Sequence, residues 1–142
     1  MIDGLVREGN LVKTRPDSGK AIKSLDLAKN KISKAETEYG AGIFDNAVVS
    51  AYTSMFHAAR ALLFRDGFKE KNHYAVCRYL KEAYGNRIEK KYVTELNTLR
   101  TIRHKVIYGD ENIDIKEVQM SEAESSIEMA RGFLESVKKI IL

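Results

Sequence analysis

The sequence predicts an all-α fold, an up-and-down bundle of four to five major helices, and three observations predict it. The 142 residues hold one proline and no tryptophan, and they are rich in Ala, Leu, Lys and Glu, which favour helix. Apolar residues recur at three- and four-residue steps through five separate stretches. Glycines or polar turn residues close most of those stretches. A hydrophobic share of 44% with 31% charged residues is that of a globular chain, and the length suits one domain.

Residues 1–16 predict a loosely held N-terminal arm, or else a partner-binding segment. Leu5, Val6, Leu11 and Val12 are apolar there, but Gly4, Gly9 and Pro16 interrupt any helix. The bundle is expected over 17–142. Asp17 or Ser18 caps its first long helix, whose apolar stripe is Ile22, Leu25, Ala28, Ile32, Ala35 and Tyr39. Gly40 and Gly42 stop it. The second helix, about 44–65, is apolar or small nearly all round. Such a helix sits at the centre of a bundle or a dimer, and its apolar faces exceed what a small bundle covers, so a homodimer is expected. Small residues on the side shared by Ser50, Ser54, His57 and Ala61 would let another helix approach closely. His57 itself reads either as a hydrogen-bonded core histidine or as part of a functional cleft.

Asp66-Gly67 closes that helix, and 68–73 is expected as a loop in which Asn72 caps a third helix over about 73–84. Gly85-Asn86 is a turn, and a fourth helix runs over about 90–108. A polar loop over 109–112 and an extended connection over 113–120 follow. Ser121 and Glu124 have the spacing of a capping box opening the last helix, with Ala123, Ile127, Ala130, Leu134, Val137 and Ile141 inward.

The net charge of +4 is unevenly spread. Residues 60–105 hold twelve Lys or Arg against five Asp or Glu, and residues 106–142 hold four against eight. An anionic partner should therefore meet the basic block. The single Cys77 allows no internal disulfide and no cysteine-based zinc site. The opening residues lack the basic start and apolar core of a signal peptide, and no apolar run approaches the roughly 20 residues a membrane span needs. The expectation is a cytoplasmic protein without a membrane anchor.

Several chemistries lack their residues. No Gly-x-Gly-x-x-Gly or Gly-Lys-Ser/Thr phosphate loop occurs, nor His-Glu-x-x-His, nor a Glu-x-x-His pair on the bundle helices, nor a serine nucleophile elbow. Three scattered histidines do not suggest a metal, and no cofactor is expected. What remains is Arg100, Arg103, His104, Lys105 and Tyr108, gathered at the end of the fourth helix with Gly109 as its C-cap. Cations there complement the helix dipole, which is one use for them. The other is chemistry on phosphate. Arginine binds phosphate bidentately and stabilises charge growing on phosphorus. Histidine moves protons near neutral pH, as attack by an RNA 2′-hydroxyl requires. Tyrosine can position a phosphate or stack on a base.

Two stretches resemble the HEPN domains, in particular the small single-domain UPF0332 branch. One is Ala51-Tyr52-Thr53-Ser54-Met55-Phe56-His57-Ala58-Ala59-Arg60-Ala61-Leu62-Leu63 with Gly67-Phe68; the other is Leu99-Arg100, Arg103 and Tyr108-Gly109-Asp110. The resemblance covers about residues 20–142. It implies a helical bundle that dimerises with its arginine-bearing helices near the two-fold axis. It also implies a minimal nucleotidyltransferase as partner in a toxin–antitoxin-type pair, with RNA or a nucleotide as ligand. Many HEPN proteins are metal-independent endoribonucleases whose motif is an Arg, four to six residues, then His. Carried over, Arg103 takes the arginine position, Tyr108 falls where the histidine stands, and His104 follows the arginine. By this resemblance Arg103, His104 and Tyr108 are the candidate catalytic residues; together with the reading of the basic stretch and of the second helix, Arg100, Arg103, Lys105 and His57 are the candidate RNA- or nucleotide-binding ones. The alternative is a non-catalytic subunit that binds and regulates the nucleotidyltransferase.

Overall fold

The computed structural model describes residues 2–109 and 118–142. Its elements run α1 (Ile2–Arg7), β1 (Leu11–Lys13), α2 (Ser18–Gly40), α3 (Phe44–Asp66), β2 (Phe68–Glu70), α4 (His73–Tyr84), α5 (Lys90–Tyr108) and α6 (Met120–Ile141). The fold is all-α, and the described residues form five long helices, one short one and a two-stranded ribbon. No described helix is long and apolar enough to cross a membrane.

α3 is the axis of the bundle, packed against α2, α5 and α6. Ala47, Val48, Met55, Leu62 and Leu63 are fully buried within this single chain. The premise that one bundle is too small to cover this helix is therefore corrected: α2, α5 and α6 supply the cover. Small residues bring α2 and α3 together, with Ala21, Ala28 and Ala35 meeting a helix rich in Ala47, Ala51 and Ala58, all fully buried. Two hydroxyls caught between them find backbone partners, as burial demands. Ser24 donates to the His57 carbonyl (2.8 Å) and Ser54 to the Ala28 carbonyl (2.7 Å).

Asp17 is the N-cap of α2, its carboxylate accepting from the Lys20 amide at 3.0 Å. α2 and α3 both span 23 residues, so the antiparallel pair returns the chain to its start, where the Asp17 amide donates to the Phe64 carbonyl (2.9 Å). Gly67 then ends α3 in the left-handed region at φ 88°. A Cβ at Gly67 would lie 2.8 Å from the Thr14 carbonyl oxygen, so the chain passes too close for any side chain. The end of α3 is also tied to two other helices. Asp66 accepts from the hydroxyls of Tyr79 and Tyr84, while Arg65 donates to the Tyr84 oxygen (2.9 Å) and the Ile140 carbonyl (2.8 Å).

The first sixteen residues correct the expectation of a loose arm. Leu5 and Leu11 are buried in the core, and β1 pairs antiparallel with β2 in the register Leu11↔Glu70, Val12↔Lys69, Lys13↔Phe68. The expected loop at 68–73 thus begins as a strand. Asn72 caps α4, accepting from the Ala75 amide at 2.8 Å. α6 starts at Met120 with Gln119 in the N-cap position, which places Ser121 inside the first turn and corrects the capping-box reading. The loop expected after Gly109 and the extended connection expected before α6 fall largely on residues 110–117, outside the described residues. α5 and α6 meet where the Tyr92 ring lies over Gly132, a site with no room for a Cβ.

Candidate functional site

A cleft of about 870 Å³ opens between the C-terminal half of α5, the middle of α3 and the segment leading from β2 into α4. One wall belongs to α5. Its lining includes Arg100, Arg103, His104, Lys105 and Tyr108, which together cover a broad face over the last turns of the helix. Arg103 is half-buried, its guanidinium 5.6 Å from the centre of the Tyr52 ring; Arg100, His104, Lys105 and Tyr108 are exposed. The rings of His104 and Tyr108 lie 4.8 Å apart, as i, i+4 neighbours do. Five of the six residues singled out from the sequence therefore face one cleft. His57 does not line it. One residue on from Phe56, it turns away from the cleft, and Arg60 and Lys31 are the charges that act on its imidazole. Those charges and, above all, burial lower its pKa.

The opposite wall was not visible in the sequence. Tyr52 and Phe56 stand one turn apart on α3, and His73 opens α4 beside them. The three rings lie 6.0 to 6.4 Å apart, with interplanar angles from 11° to 28°. Both nitrogens of His73 have neighbours, Tyr52 Oη at 3.3 Å from Nδ1 and Cys77 Sγ at 3.2 Å from Nε2. Burial, aided by the Arg100 charge, pushes the His73 pKa down to about 4, against a hydrogen bond to Asn97 that favours the charged form. The imidazole is thus neutral at physiological pH. Burial also raises Tyr52, although Arg103 and Arg100 pull it the other way, and lifts the Cys77 thiol to about 11. That thiol is no nucleophile. The signal for this wall was present as two i, i+4 pairs, Tyr52 with Phe56 and His73 with Cys77, but only tertiary packing turns both pairs toward α5.

Glu70 completes the second wall. Arg60 Nε lies 2.7 Å from its Oε1, and the Arg60 guanidinium also sits over the Phe56 and Phe64 rings, 5.8 and 5.4 Å from their centres. Among the described residues, no three His, Cys, Asp or Glu side chains converge as a metal site.

The His73 environment makes stability pH-dependent with a definite sign. Its folded pKa lies below the unfolded value near 6.5, so the unfolded chain binds the proton more readily. The stabilising effect of neutrality is fully present above about pH 6.5 and is lost as pH falls toward 4. His57 acts in the same direction. Urea midpoints measured at pH 7 and pH 5 are expected to differ less in His73→Gln than in the wild type. An unchanged difference would place the His73 proton equilibrium outside the folding reaction.

The sequence model of the HEPN domain matches residues 21–140. Two curated proteins of Methanocaldococcus jannaschii named as candidate toxins are also similar. MJ0605 is 28% identical over 127 residues, covering 82% of this chain and 85% of its own. MJ0142 is 26% identical over 122 residues, covering 84% of this chain and 80% of its own.

Proposed function

The chain belongs to the HEPN domain family, and on that premise we propose that it is the RNA-binding, toxin-type member of a pair whose other member is a minimal nucleotidyltransferase. It acts in the cytoplasm as a homodimer. The observation that carries this reading is the convergence of Arg100, Arg103, His104, Lys105 and Tyr108 on one open cleft. Two arginines and a lysine neutralise a phosphodiester and hold it bidentately. His104 is the proton-transfer group within reach of the same phosphate, and the Tyr108 hydroxyl orients it. The candidate-toxin names of the two relatives favour the same role. Ile107 and Tyr108, both exposed at the end of α5, supply apolar surface for a second copy.

Tyr108, rather than an imidazole, at the motif's second position favours a second reading. In it the protein binds and regulates the nucleotidyltransferase without cleaving RNA. A phenol, titrating near 10 in general, is a weak general base at neutral pH.

The deciding experiment incubates purified protein with total and structured RNA in the absence of metal, alongside Arg103→Ala and Tyr108→Phe. Cleavage lost in Arg103→Ala marks a ribonuclease, and loss in Tyr108→Phe as well puts the hydroxyl in the chemistry. Binding without cleavage marks a non-catalytic RNA-binding component. An absence of RNA binding, with the partner complex intact in Arg103→Ala, selects the second reading. Sedimentation at micromolar concentration is expected to give a dimer; a monomer counts against that part of the proposal.

A further inference from the structure

The geometry points to a base-binding subsite on the cleft wall opposite α5, formed by the rings of Phe56 and His73 and held in place by the N-terminal strand. It rests on the reading of the cleft as an RNA site, and it assigns the two walls to different parts of one nucleotide.

The division is chemical. The α5 wall carries three of the four Lys and Arg side chains that line the cleft, Arg100, Arg103 and Lys105, and the facing segment carries one, Lys71. The facing wall carries two half-buried rings whose planes differ by 11° and whose centres lie 6.4 Å apart, with Tyr52 packed against both. His73 belongs to this wall as an uncharged ring, since its imidazole stays neutral at physiological pH. Glu70 places a carboxylate on the same wall, its Oε2 accepting no hydrogen bond among the described residues. A phosphate is drawn to the three cations of α5, which leaves the aromatic side to a base. Every base has a π face, so such a wall takes an unstacked nucleotide with little regard to sequence.

The wall is built rather than incidental. Asn10 accepts from the Lys71 amide through its carbonyl (3.0 Å) and from the Asn72 side-chain amide through Oδ1 (3.0 Å). Asn72 in turn caps α4 at Ala75, which fixes where His73 stands. β1 pairs with β2 immediately before these residues. Asn10 and β1, at residues 10–13, lie ahead of the matched HEPN region that begins at 21.

The test measures binding of a fluorescent short oligoadenylate and of the same ribose-phosphate chain made abasic, at low salt. The wild type is expected to bind the intact chain about tenfold more tightly, the size of one base–aromatic stack. Phe56→Leu is expected to erase that preference while leaving abasic affinity unchanged, and Asn10→Ala to reduce it with the same signature. Arg100→Ala is expected to weaken both chains alike, leaving the preference in place. Equal affinities in the wild type overturn the subsite, as does an undiminished preference in Phe56→Leu. Failure of both chains to bind the wild type instead overturns the RNA reading, and the subsite falls with it.

Discussion

Replacing Arg100 and Arg103 together with alanine is expected to lower RNA affinity by at least about 100-fold, since each charge-assisted contact contributes about 1.5–3 kcal/mol. Both side chains line the same wall, one turn apart on α5, and both reach the cleft from a rigid helix rather than a loop. The fold should survive. Arg100 is exposed, and Arg103 gives up its contact with the Tyr52 ring, which is worth about 0.5–1 kcal/mol. The salt dependence of binding distinguishes phosphate contact from an indirect effect. Losing two phosphate contacts should flatten the slope of log affinity against log salt by about 1.4. A double variant that binds weakly with an unchanged slope would mean that the arginines shape the cleft without touching phosphate.

Gly67→Ala is expected to destabilise the protein by about 2–4 kcal/mol, which a urea titration would read as a lower midpoint. Two costs add. The residue sits at φ 88°, where an L side chain crowds its own backbone. The new Cβ would also meet the Thr14 carbonyl oxygen at 2.8 Å and the Pro16 ring at 3.0 Å. Backbone on both sides is hydrogen-bonded, the Gly67 carbonyl to the Thr14 amide at 2.8 Å, so neither strand can step aside cheaply. A variant as stable as the wild type would show that the β1–β2 junction yields more readily than its bonding suggests.

The long helices were legible because their signals are local. Asn72 before His73 and Gly109 after Tyr108 mark ends of α4 and α5 that coincide with those observed. Apolar spacing along α3 announced a helix buried on most sides, although its cover proved to come from the same chain. The N-terminal ribbon was not legible. Its strands are three residues each, too short for alternation to register, and Leu11 meets Glu70 across almost half the sequence. The candidate site divided in the same way. Residues on α5 announced themselves as a dense cationic cluster in one helix. His73, Phe56 and Glu70 come from three elements and become neighbours only when α3, α4 and β2 pack, so no single stretch contains their signal.

The matched lengths of α2 and α3 also constrain the order in which the chain can fold. β1 leaves the ribosome well before β2, and bringing their ends together through a flexible loop would carry a large entropic cost. The helical pair removes most of that cost, because two equal antiparallel rods deliver Asp17 to Phe64 before the strands meet. Zipping of the ribbon is expected to be a late step. Substitutions in β1 are therefore expected to speed unfolding more than they slow folding, a split that stopped-flow kinetics would read.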